Sequence, residues 1–202
     1  MRYKHVFAIC AYKDSPYLER CIRSLKAQTV PSHIIICTST PSSYIDRLAW
    51  KYGLQVYVRQ GESNIKDDWN FAYSMAEGEL VTIAHQDDMY HRDYSARLLA
   101  AHRRYPDMTV FTTDYVIVKQ GALITGDAML WIKRILRTPL RFPQMNDRAW
   151  VKKLAFVLGN PICCPATTYH KAVLGEPFVR TEYSFALDWD NLVRLAAGPG
   201  RL

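Results

Sequence analysis

Leu80-Val81-Thr82-Ile83-Ala84-His85-Gln86-Asp87-Asp88-Met89-Tyr90 is the stretch whose reading decides the fold. It begins as an apolar, β-branched run and ends in two adjacent carboxylates with a histidine just ahead of them. Adjacent carboxylates repel, so a folded chain keeps such a pair solvated, protonated or bound to a cation. Taken alone, the pair reads more simply as a solvated acidic turn. Its place argues otherwise, because open α/β sheets bind ligands outside the carboxyl ends of their strands. That reading needs a sheet around the turn, and the flanking sequence supplies one.

Upstream, His5 to Tyr12 is an unbroken apolar run of strand length, as a buried parallel strand requires. Ser15-Pro16 offers an N-cap and a proline at the first helical position. Leu18, Cys21, Ile22 and Leu25 follow at helical spacing, and Val30-Pro31 ends the element. Ile34 to Cys37 is a second strand. Ser43 with Asp46 fits a capping box for a helix that runs to Gly53. Leu54 to Val58 is a third strand, and Asp67 or Asp68 opens a helix through Trp69, Phe71 and Met75 that stops at Gly78. Glu79 to Ala84 is the fourth strand and delivers the acidic turn. This alternation predicts an α/β fold: a Rossmann-like, mostly parallel central sheet flanked by helices, with right-handed crossovers.

Downstream, Asp93 begins a helix with Tyr94, Leu98, Ala101 and Tyr105 on one face, and Met108 to Val118 reads as a fifth strand, its partner left open between parallel and antiparallel. Residues 128–158 mix Lys133, Arg137, Arg148 and Lys153 with Trp131, Ile135, Trp150 and Leu154. They predict two short basic amphipathic helices around a turn containing Pro139 and Pro143. The charged face of this insertion is either solvated or turned to an anionic lipid or acidic acceptor. Gly159-Asn-Pro-Ile-Cys-Cys-Pro165 returns the chain to the core, Ala166 to Tyr169 is a further strand, and Asp188 to Ala196 closes as a helix with acids in its first turn.

The chain has 202 residues, 49% hydrophobic and 22% charged, an ordinary globular composition with room for one sizeable core. One continuous domain is expected. The net charge of +7 favours anionic partners. Nucleic acid is not among those expected, since zinc-finger spacing, an aromatic RNA-binding strand signature and a dominant basic helix are all missing. Five cysteines, an odd count without a C-x-x-C pair, fit reduced thiols of a cytosolic protein better than a disulfide frame or zinc site. No run approaches the ~18 apolar residues of a spanning helix. The run from Val6 to Tyr12 leads into Lys13-Asp14 without a cleavage site and reads as a strand, not a signal peptide.

Four segments in order resemble the family 2 glycosyltransferases, inverting, nucleotide-sugar-dependent enzymes of the GT-A fold. Val6 to Tyr12 with Tyr17 to Thr29 is similar to the family's opening strand and helix. Ala76 to Asp88 resembles the strand that carries its D-x-D carboxylates. Gly159 to Pro165 looks like the lead into its acceptor-side strand, and Leu187 to Leu195 resembles the helix that carries its general base. His85 stands at the first D-x-D position, and Lys13, Thr38 and Leu187 also depart from the pattern.

The resemblance implies a GT-A-like fold with a nucleotide-sugar-binding half at 1–118 and an acceptor-side half at 119–202, the latter holding the basic insertion at 128–158. Because the family usually continues beyond this last helix, a chain truncated at its C-terminal end is expected. The implied reaction moves a sugar from a nucleoside-diphosphate-sugar to a hydroxyl of a saccharide or lipid-linked acceptor, with Mn²⁺ or Mg²⁺. Its expected setting is cell-surface polysaccharide synthesis in the cytoplasm, peripheral to an anionic membrane at its inner face. Asp188 takes the role of catalytic base, with Asp190 as fallback. Asp87 and Asp88 hold the metal, His85 and His91 being auxiliary candidates. Ala11, Tyr12, Asp14, Thr38, Asp68, Asn70 and Asp87 are the nucleotide-binding candidates. The alternative is a catalytically silent module of the same fold that binds a nucleotide sugar or anchors a partner.

Overall fold

Val6, Phe7, Ala8 and Ile9 are consecutive and all wholly buried, so the strand they form is covered on both faces. The computed structural model describes residues 3–119, 121–180 and 186–202. Its first half alternates β1 (Tyr3–Ala11), α1 (Leu18–Lys26), β2 (His33–Thr38), α2 (Ser43–Tyr52), β3 (Gln55–Val58), α3 (Ile65–Met75), β4 (Gly78–His85) and α4 (Tyr94–Arg104). There follow β5 (Val110–Thr112), the hairpin β6 (Ile117–Lys119) and β7 (Ala122–Ile124), and α5 (Ala128–Leu136). Then come α6 (Ala149–Leu154), β8 (Thr167–His170), α7 (Lys171–Leu174) and α8 (Leu187–Ala197).

One six-stranded sheet has the order β3-β2-β1-β4-β8-β5. β1 runs parallel to β2 and β4, β2 runs parallel to β3, and β8 runs antiparallel to both its neighbours. Because β8 inserts between β4 and β5, the later part of the chain completes the sheet begun by the earlier part. Side chains alternate across the sheet, as the strand repeat demands. Val6, Ala8, Val81 and Ile83 enter one core with Tyr73, Tyr169 and Leu192. Phe7 and Ile9 enter the other with Ile22, Ile36 and Leu98.

The helix ends differ from expectation in ways the local chemistry explains. Ser15 makes a turn, its hydroxyl accepting from the Tyr17 amide, and α1 begins two residues later than the Ser15-Pro16 signal. Ser42 rather than Ser43 caps α2, accepting from the Ile45 amide, while Gly53 closes the helix in the left-handed region at φ +58°. Asn64, not Asp67 or Asp68, caps α3 by accepting from the Asp67 amide. Gly78 belongs to β4 and does not end α3: a Cβ there would sit 2.7 Å from Val6 Cγ2, so the site enforces close approach of β1 and β4. The run from Met108 to Val118 is no single strand; only Val110–Thr112 joins the sheet, and the exposed residues beyond pair locally as a hairpin. The two helices of the basic insertion form as α5 and α6, separated by a 3₁₀ turn at Thr138–Arg141.

Two buried polar groups hold this frame. Lys152 of α6 is wholly buried, and its Nζ donates to the carbonyls of Gly198 and Gly200 at 2.6 and 2.7 Å, fixing the chain where α8 ends. His5 lies between Ser32 Oγ and Thr82 Oγ1, each 2.8 Å from a ring nitrogen. Burial pushes the His5 imidazole down to about 3. The unfolded chain therefore takes up a proton near pH 6.5 that the native state refuses until about pH 3, and stability falls as pH drops through that window. Chemical denaturation of His5→Gln should show a pH dependence between these limits shallower by about one bound proton than wild type. An unchanged slope would contradict the assignment.

Candidate functional site

The parallel register brings three strand ends to one edge. Ala11 pairs with Thr38, and Cys10 with His85, so the loops after β1, β2 and β4 emerge side by side. Gln86 ties two of them together: its Oε1 accepts from the Tyr12 amide at 2.9 Å and its Nε2 donates to the Tyr12 carbonyl at 3.0 Å. The Lys13 backbone then turns through φ +52°, and its amide donates to Thr40 Oγ1 at 2.7 Å. Asp14 Oδ1 accepts from the Ser42 hydroxyl at 2.6 Å, joining the β1 loop to the cap of α2. The Tyr12 ring is half-exposed under the Lys13 ammonium, available as a face for a planar ligand.

Thr38 is buried at the end of β2, where its hydroxyl accepts from the Thr40 amide. Asp68, half-buried, lies at the same edge. It accepts from Arg59 Nε at 2.8 Å, Ser63 Oγ at 2.7 Å and Ser39 Oγ at 3.0 Å. Asn70 is turned away from this group: its Oδ1 accepts from the Val179 amide and its Nδ2 donates to the Val179 carbonyl. Both faces of the Asn70 amide thus serve to hold the segment before residue 181.

At the end of β4, His85, Asp87 and Asp88 each present a ligand atom, all within 4.8 Å of one another. Burial pushes the Asp88 carboxyl up to about 6, with the Asp87 charge adding to it. Burial also holds the His85 imidazole below its ordinary value, against the opposing pull of Asp87, so it stays neutral with a free lone pair near pH 7. Trp69 of α3 stacks on the ring at 5.1 Å between centroids. His85 Nδ1 lies 3.9 Å from Asp88 Oδ2, and its buried Nε2 has no hydrogen-bond partner among the described residues. An aspartate with raised proton affinity next to a second carboxylate, beside a neutral imidazole with an orphaned nitrogen, is a donor set suited to a divalent cation. His91 is exposed, its Nδ1 3.7 Å from Asp93, and stands apart from this cluster.

Asp188 is the second residue of α8. Burial raises its proton affinity above that of an ordinary aspartate, while Asn160 and the first amides of the helix act in the opposite sense. Asn160 Nδ2 donates to Asp188 Oδ2 at 3.0 Å. The Cys163-Cys164 segment lies within electrostatic reach of both acidic groups: the Cys163 thiol is pushed up to about 11 by burial first and then by Asp88, with Asp188 contributing. Tyr90 Oη donates to the Pro165 carbonyl at 2.6 Å, binding the acidic turn to the same segment. Asp88 and Asp188 therefore both lie near the Cys163-Cys164 segment, which brings the end of β4 and the start of α8 to one site. Asp190, in the same first turn of α8, is exposed.

Gln86, Arg59, Asn160 and Trp69 are the site residues that sequence reasoning missed. Asn160 had a signal, lying within Gly159-Asn-Pro-Ile-Cys-Cys-Pro165 between the insertion and the last strand. The others act through partners distant in sequence, as Gln86 does on Tyr12 and Trp69 on His85.

A mostly parallel sheet with carboxylates at the end of a central strand and an acid-bearing helix near the same segment defines a GT-A-type α/β fold. The sequence profile described as "Glycosyl transferase family 2" matches residues 6–159, and the chain belongs to that family. No curated protein sequence matches the chain. Among solved structures, S. aureus TarS 1-349 in complex with UDP is similar at TM-score 0.64 and 17% identity, over 94% of this chain and 54% of that one. The mannosyltransferase PcManGT from Pyrobaculum calidifontis, in complex with GDP-Man and Mn²⁺, gives TM-score 0.56 and 13% identity over 86% and 46%. The glucosyl-3-phosphoglycerate synthase from Mycobacterium tuberculosis, in complex with Mn²⁺ and UDP-Glc, gives 0.55 and 13% over 85% and 57%. The chain spans about half the length of these proteins.

The Asp88 shift has a testable sign. Its native value near 6 exceeds the unfolded 3.8, so the native state binds this proton more tightly and stability is lost as pH rises from about 3.8 to about 6. In metal-free protein, Asp88→Asn should be more stable than wild type at about pH 8, with the advantage shrinking as pH falls below about 6 and gone only below about pH 3.8. Denaturant midpoints across this range measure it; a less stable variant at the highest pH would contradict the shift.

Proposed function

We propose that this site transfers a sugar from a nucleoside diphosphate to an acceptor hydroxyl with inversion, Asp188 being the base. The observation that carries this reading is a pair of acidic groups, one at the end of β4 and one at the start of α8, both acting on the Cys163-Cys164 segment and each with raised proton affinity. Inverting displacement needs a base on the face of the sugar opposite the leaving group. A buried carboxylate with raised proton affinity is a better proton acceptor than a solvated one. Asn160 holds its Oδ2 in one orientation, and the proton of the attacking hydroxyl passes to the carboxylate as the new glycosidic bond forms.

Nucleoside binding falls to the edge formed by Ala11, Tyr12, Asp14, Thr38 and Asp68, with Asn70 acting indirectly by holding the segment at Val179. Arg59 and Gln86 join them, the first by fixing Asp68 and the second by fixing Tyr12. Asp87 and Asp88, with His85 in the imidazole position, would hold Mn²⁺ or Mg²⁺, whose charge offsets that of the departing diphosphate. PcManGT and the mycobacterial synthase were both crystallised with Mn²⁺ and a nucleotide sugar, which supports this reading. The acceptor is a saccharide or lipid-linked hydroxyl, in cell-surface polysaccharide assembly at the cytoplasmic face of a membrane.

Turnover of UDP- and GDP-sugars with Mn²⁺, read as nucleoside diphosphate released, tests the proposal. Asp188→Asn should lose roughly 10²–10⁴-fold in kcat while keeping donor affinity. Wild-type kcat in that variant would remove Asp188 from the role of base. Donor binding with no turnover on any acceptor would instead mark a silent binding module.

A further inference from the structure

The basic insertion has two faces, and only one is used by the fold. Leu130 of α5 and Val151 of α6 point inward and are buried. On α5, Trp131, Ile132 and Ile135 are 60%, 50% and 61% exposed, spaced to share one side of the helix. On α6, Trp150 and Leu154 are 59% and 54% exposed, and Val157 and Leu158 extend the same three- and four-residue spacing at 68% and 80%. Single exposed apolar side chains are ordinary, but apolar stripes on successive helices mark an interaction surface.

The charges around these stripes narrow the partner. Asp147 is the sole acid in residues 128–158, and it lies 3.9 Å from Arg201. Arg134 and Arg137 are taken up by Asp114, and Lys152 is buried under the end of α8. Arg141, Arg148 and Lys153 are exposed, with no acidic partner among the described residues. We propose that α5 and α6 dock the protein on an anionic lipid bilayer. Trp131 and Trp150 would sit at headgroup level, the aliphatic side chains would enter the acyl boundary, and the three cations would meet lipid phosphates. No helix among the described residues is long and apolar enough to cross a membrane, so the contact is with the surface.

The docking face adjoins the Asp188 site. The Lys133 charge of α5 acts on Asp188, and Lys152 links α6 to the far end of the helix that carries Asp188. A docked protein would thus open its acceptor side toward the membrane, which deepens the proposed transfer by making its acceptor membrane-borne. This last step rests on that proposal; the docking itself does not.

Co-sedimentation with vesicles tests it, using phosphatidylcholine alone and phosphatidylcholine mixed with phosphatidylglycerol. The protein should bind the mixed vesicles, release them as salt rises, and ignore the neutral ones. Trp131→Ser with Ile135→Ser, and separately Arg141→Glu with Arg148→Glu, should each weaken binding by roughly tenfold or more. All four positions are exposed, so far-UV circular dichroism and nucleotide binding should stay at wild-type level. Vesicle binding that ignores both variant pairs, equal binding to neutral vesicles, or no binding at all would overturn the proposal. So would a self-associated species that the Trp131→Ser and Ile135→Ser changes dissociate in the absence of any vesicle binding. Nucleotide binding is read separately, so loss of docking and loss of the transferase reading give different results.

Discussion

The parallel register of β1 against β2 and β4 is the constraint on which the site depends. Parallel pairing points the strands' carboxyl ends the same way, and their termini at Ala11, Thr38 and His85 lie level. Each loop can then contribute a short polar segment to one edge. The cost is a strand covered on both faces, met by the unbroken apolar run Val6–Ile9 and by close contact at Gly78. A side chain at Gly78 would push β4 from β1 and carry the acidic turn out of register with the Tyr12 loop, which Gln86 otherwise clamps.

Electrostatics decides what such an edge can do. Burial makes ionisation of Asp88 and Asp188 costly and keeps His85 neutral, each the expected response of a titratable group removed from water. A cation at the acidic turn would reverse the first of these effects, since a positive charge favours both carboxylates ionised. Asp188, on α8 and tempered by Asn160, keeps its raised proton affinity. The site thus combines a carboxylate pair suited to a metal with a separate carboxylate suited to a proton.

Much of this was legible in the sequence because it is periodic or local. The apolar runs of β1, β2 and β4 and the helical spacing of Leu18, Ile22 and Leu25 require no distant information. Caps were read less well, since Ser42, Ser43 and Asn64, Asp67 offer competing hydroxyls, amides and carboxylates within a turn of each other. The stretch after Met108 misled for a physical reason: the β-branched residues near Val118 have strand propensity but pair with their own hairpin, and only Val110–Thr112 finds a partner in β8. Within the site, residue types at strand ends were readable, whereas their pairings were not. Nothing local tells that Asn70 spends its amide on Val179, or that Asp68 collects Arg59, Ser39 and Ser63.

The central claim is that this edge binds a nucleoside diphosphate through a divalent cation held at Asp87 and Asp88. A thermal-shift panel of nucleoside diphosphates and nucleotide sugars, with and without Mn²⁺, measures it most directly. A cognate nucleotide at ~100 times its Kd should add roughly 2.7 kcal/mol of apparent stability when Mn²⁺ is present. The gain should be much smaller without the metal, and absent in an Asp87→Ala, Asp88→Ala double variant. No shift with any nucleotide, or a shift equal in the double variant, would contradict the account.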